Sequence, residues 1–169
     1  MTPIQHGSTL SYRFHVATVC ICVISGAVTL VAAGLETFFF HKQGVVRFGL
    51  LATSPFILVG ALSFLARHRL GPAIVALAGA IAGGVFSILI FGSWFYEVGE
   101  VLVTGTSSYR GAGSWRGAEF VLVPFLEGVF GLPVFLLCYA LAWLGSLWAE
   151  QARSRSSAEH STAAARPRE

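Results

Sequence analysis

"FGLLATSPFILVGALSFLARHRLGPAIVALAGAIAGGVFSILIFGSWFY" occupies positions 48–96 and carries the clearest mark of the fold. Two long apolar runs, 48–66 and 72–96, flank a short basic joint. About 20 helical residues cross the ~30 Å of hydrocarbon in a bilayer, so each run is long enough to span. Backbone groups that face lipid must find partners within their own segment, which makes such runs helices. Gly71 and Pro72 suit a helix stop followed directly by a helix start. So short a joint predicts that the two helices are antiparallel neighbours.

Working outward, two more runs have the same character: 14–35, "FHVATVCICVISGAVTLVAAGL", and 120–149. The first exceeds the 7–15 apolar residues of a signal peptide, and "AAG" at 32–34 is a poor cleavage site, so it reads as a retained helix. The expected architecture is all-α: a polytopic membrane protein built as a four-helix transmembrane bundle. It has a terminal segment 1–13, an outer loop 97–119 and a Ser-, Ala- and Arg-rich tail 150–169 with no apolar period, expected to be disordered. Composition agrees. Only 11% of residues are charged and the mean hydropathy is +0.73, whereas soluble domains carry ~25% charge.

Four spans put both termini on one side. That side holds Arg13, Arg67, Arg69, Arg153, Arg155, Arg166 and Arg168, against Lys42, Arg47, Arg110 and Arg116 on the other. The excess places both termini in the cytoplasm of a cell whose plasma (inner) membrane holds the protein. Phe38–Phe40, Trp94–Tyr96, Tyr139, Trp143 and Trp148 read as interfacial aromatics. The lipid bilayer is the expected surrounding partner, and no nucleic-acid partner is implied.

Small residues mark helix contacts, because in lipid the close approach of backbones replaces apolar burial as the driving force. Gly79 and Gly83 form G-x-x-x-G on the third helix, with Ala76, Ala80 and Gly84 on a neighbouring stripe. This helix is expected at the centre of the bundle or at the face of a homo-oligomer or larger complex. Thr18, Cys22 and Gly26 make a similar stripe on the first helix. Pro55 removes one hydrogen bond within the second, where Thr53 or Ser54 can serve the freed carbonyls.

Candidate chemistry is sparse. Cys20 and Cys22 have neither a redox nor a zinc spacing. His15 and His68 share one boundary, as a bis-His haem would require, but interfacial histidines explain them as well. No protease, hydrolase or phosphate-loop motif occurs, so the reading is non-enzymatic and without a cofactor. In the outer loop, "SYRGAG" is followed by "SWRGAE" at 108–119. Tyr109, Arg110, Trp115 and Arg116 can bind an anionic group or simply anchor the loop at the headgroups.

The remaining feature is Glu127, the one ionisable residue of "VLVPFLEGVFGLPVF" at 121–135. An ionisable residue inside a membrane is a functional suspect. With Glu36 and Glu97 it forms a candidate proton or cation site on the outer half. Counting back from Trp148 gives the competing account, in which Pro124 starts the fourth helix and Glu127 lies in its first turns at the outer rim, favoured by the helix dipole. Gly128 and Gly131 beside it would let another backbone approach, turning the carboxylate toward protein. Two functions follow: a structural or accessory membrane component that packs with itself or a larger complex, and a small carrier or channel coupled to a proton or cation. The second gains if the fourth helix extends further out than this count implies.

Overall fold

The computed structural model describes residues 4–40, 45–105 and 119–164; a few side chains near the helix ends lie outside this description. Every element is helical, and no strand occurs among the described residues. The helices are α1 (Ile4–Phe40), α2 (Val45–Leu65), α3 (Leu70–Thr104), α4 (Glu119–Leu126), a π-helical turn (Glu127–Gly131) and α5 (Leu132–Ala164). Within them, four stretches among the described residues are long and apolar enough to cross a membrane: Thr9–Phe38, Val45–Leu65, Leu70–Leu89 and Val121–Ala158. The chain is an integral membrane protein with the expected all-α, four-span plan.

α1 packs against both α2 and α3, α2 packs against α3, and α5 rests on α3. The joint between α2 and α3 is as tight as expected, but its detail differs. α3 begins at Leu70, so Gly71 and Pro72 sit inside its first turn and do not punctuate it. The first N–H groups of a helix have no intrahelical acceptor, so proline is tolerated there. Ala73 N–H makes the first bond, to the Arg69 carbonyl at 3.2 Å.

The helices outrun the expected spans. α1 begins ten residues before position 14, and α3 continues past position 96 to Thr104, where Gly105 turns with φ +67°. A positive φ suits glycine, which closes helices in the left-handed region. The tail expected to be disordered is helical as far as Ala164. Ala, Arg and Glu are strong helix formers, and the serines that compete with a helix turn back onto it here. Ser154 Oγ donates to the Glu150 carbonyl at 2.9 Å and Ser157 Oγ to that of Arg153 at 2.9 Å.

Inside α2, Ser54 Oγ donates to the Leu51 carbonyl at 2.7 Å. That carbonyl is the one Pro55 cannot serve. Thr53 Oγ1 does the same for Leu50 at 2.7 Å. Buried side chains gather in two clusters. One joins Ala32, Ala33, Ala52, Phe91 and Val123 in the half of the bundle far from the termini. The other joins Cys22, Phe56, Ala76, Ala80 and Tyr139 toward the terminal side.

The small residues of α3 face three different neighbours. A Cβ at Gly79 would stand 2.7 Å from Phe135 of α5, one at Gly83 3.2 Å from Phe56 of α2, and one at Gly84 3.1 Å from Ser25 of α1. Ala76 and Ala80 are fully buried. Gly49 of α2 meets the side chain of Ala33 on α1 more closely still. Gly128 and Gly131 behave otherwise: both are exposed, and a Cβ at either would meet nothing within 4 Å. The close backbone approach expected there does not occur within the chain, because the π turn faces these two residues outward while Glu127 faces in.

Candidate functional site

α4 begins at Glu119, so Pro124 lies inside a helix and not at its start. Pro124 as the start of the helix is corrected by that, and Glu127 is eight positions into the continuous helical segment. It also opens the π turn, in which Leu132 N–H reaches the Glu127 carbonyl. Pro133 supplies the physical cause. It has no N–H, and its ring would crowd the carbonyl four residues back in a regular turn. A wider turn relieves that contact and bends the helix. The effect is to swing the Glu127 side chain into the bundle, where it is only 8% exposed.

Register follows from contacts on either side. Gly79 of α3 opposes Phe135 of α5. Eight residues on from Gly79 is Ser87, and eight back from Phe135 is Glu127, so the two stand at the same level. Tyr139 reaches Leu62 of α2. Twelve residues back from each are Glu127 and Leu50. Glu127 is therefore about one 5.4 Å helical turn inside the level of Arg47, where the uncharged stretch of α2 begins.

This level is polar and incompletely satisfied. Ser87 Oγ and Glu127 Oε2 are both buried, and neither has a hydrogen-bond partner among the described residues. Thr53, also buried, directs its hydroxyl into its own helix. Buried polar atoms in folded proteins are nearly always paired, and those that are not call for an explanation such as an exchanging ion or water. An ionised carboxylate is costly to bury unpaired. A proton or a cation bound at the carboxylate would relieve that cost.

Glu36 is fully buried on α1, one turn beyond the Ala32–Ala33 contact of the far-side cluster. Glu97 stands on α3 ten residues past Ser87, about 15 Å further along the helix; its side chain lies outside the described set. The three glutamates thus occupy more than one level, and it is Ser87 that shares the level of Glu127. Ser87 was legible in sequence only as the next small residue after Gly83. Tyr109, Arg110, Trp115 and Arg116 lie outside the described residues.

A second polar region ties the terminal side together. Ser11 Oγ donates to the Arg67 carbonyl at 2.7 Å. His15 Nδ1 and Ser63 Oγ share a hydrogen bond of 3.0 Å. Tyr139 Oη donates to the Leu62 carbonyl at 2.6 Å. Arg69 Nη1 donates to Ser146 Oγ at 2.9 Å and lies 3.2 Å from Glu150 Oε1, with its guanidinium over the Trp143 ring. Tyr139, expected as an interfacial anchor, is buried and crosslinks α5 to α2. His68 accepts from Arg67 Nε at 2.9 Å while His15 is taken up by Ser63, so the two histidines have separate partners. No group of three or more His, Cys, Asp or Glu side chains placed to hold a metal ion occurs among the described residues.

Compared with family models, curated proteins and solved structures, the chain matches none.

Proposed function

We propose that this integral membrane protein is a small carrier or channel that binds and releases a proton or monovalent cation at Glu127. The observation that supports this reading is the pair of buried, unpartnered oxygens, Glu127 Oε2 and Ser87 Oγ, at one level of the far half. Membrane helices place ionisable groups in their interior where ions or protons pass. π turns recur at functional sites, and here one inserts the carboxylate between helices. Both termini are read as cytoplasmic, in the plasma (inner) membrane, which puts the site in the outer half. The test is flux in liposomes of the purified chain, with an imposed proton or potassium gradient. The parent dissipates the gradient and Glu127→Gln does not. A silent parent, or a variant equal to it, counts against the reading.

A second reading, a non-enzymatic accessory component, draws on α5. This helix and the π turn before it touch the bundle along one face and leave Gly145 of α5 and Gly128 and Gly131 of the turn open. Outward glycines in a membrane helix suit contact with another helix, from a second copy or a larger complex. Co-purification from native membranes at a stoichiometric ratio would favour it. A monodisperse monomer in mild detergent would not.

A further inference from the structure

We propose that a groove at the terminal end of α1 and α2 binds one anionic phospholipid, its phosphate against Arg67 and an acyl chain along Val16 and Val19. The groove encloses about 400 Å³, within the ~300–1,000 Å³ of small-ligand sites. Its lining changes character along the membrane normal. Tyr12 and Arg67 stand at the terminal mouth, His15 and Phe64 form the middle, and Val16 and Val19 continue inward along α1. From Tyr12 to Val19 is about 10 Å of helix at 1.5 Å per residue.

The polar end is built and available. His15 is 8% exposed, is fixed by Ser63 through Nδ1, and packs edge-on against Phe64 with ring centroids 5.6 Å apart. The Arg67 guanidinium lies 4.5 Å over the Phe64 ring and, among the described residues, uses only its Nε–H, on His68. No carboxylate among the described residues pairs with Arg67. The other arginine of the joint, Arg69, is committed to Ser146, Glu150 and Trp143. A guanidinium held flat on an aromatic ring, with its fork free, is suited to a phosphate.

Charge complementarity selects an anion, and the apolar continuation selects a lipid over a free ion. Val16 and Val19 belong to the spanning stretch Thr9–Phe38, which a soluble phosphate has no use for. Anionic lipids also concentrate in the cytoplasmic leaflet, the leaflet that the arginine excess assigns to this end.

Native mass spectrometry of the full chain in detergent, titrated with dioleoyl phosphatidylglycerol or dioleoyl phosphatidylcholine, tests the proposal. The parent retains one phosphatidylglycerol in preference to phosphatidylcholine. Arg67→Gln weakens that retention roughly ten-fold, the loss of one charge-assisted contact. Arg47→Gln, at the far end of α2, leaves it unchanged. Val16→Trp fills the apolar half and removes retention while Arg67 stays in place; it decides the matter if Arg67→Gln does not purify as a folded protein. Equal retention of the two lipids by the parent overturns the proposal. So does parental retention in Arg67→Gln, or in Val16→Trp.

Discussion

The two ends of the bundle treat their buried polar groups differently. Toward the termini, polar side chains reach across from one helix to the next: Ser11 and His15 to the end of α2, Tyr139 from α5 to α2, Arg69 from the joint to α5. In the far half, Ser87 and Glu127 carry buried oxygens that no described residue serves. Interhelical hydrogen bonds in membranes stabilise by only ~0.6–2 kcal/mol each, but several together hold one end of a bundle to a single arrangement. Groups left unserved contribute nothing of that kind. On the proposed function, the contrast separates polar residues kept for structure from polar residues kept for exchange.

The comparison breaks most visibly where packing crosses both halves. Gly79→Leu drives a side chain into Phe135, and we expect a loss of about 3 kcal/mol, the upper end for overpacking a core, seen as a large fall in melting temperature in detergent. Tyr139→Phe removes one terminal crosslink; its expected cost is about 1 kcal/mol, read in the same assay. Arg69→Gln loses a stacking contact and a pair with the exposed Glu150, for under about 1 kcal/mol. Ser87→Ala in the far half should leave stability within about 0.5 kcal/mol of the parent. If Ser87→Ala proved as harmful as Tyr139→Phe, the two ends would not differ in the way argued.

Much of the fold was legible because hydrophobic length alone dictates spanning helices, and the joint at 67–72 left α2 and α3 no choice but to lie antiparallel. The helix ends were not legible. Sequence counts stop where charge appears, yet α1 and α3 continue through Glu36, Glu97 and Glu100, and α5 runs on through an Arg-rich tail of strong helix formers. The three-way contacts of Gly79, Gly83 and Gly84 show why spacing cannot name a partner: adjacent small residues on one helix point to different neighbours. Glu127 was legible as a suspect, but its place within the helix was not. Pro124 reads as a helix start, and the π turn before Pro133, which rotates the carboxylate inward, leaves no signature beyond the proline itself. Tyr139 was hidden for a simpler reason, since an aromatic near a helix end looks alike whether it faces lipid or the next helix.

On the proposed function, Glu127 serves exchange and not stability. The most direct measurement is the melting temperature of Glu127→Leu, which keeps the volume and removes the unserved carboxylate. Replacing an unsatisfied buried polar group by an apolar one of similar shape is neutral or stabilising, so the variant should melt at or above the parent temperature. A fall as large as that of Gly79→Leu would contradict the account and make Glu127 a structural contact of the fourth span.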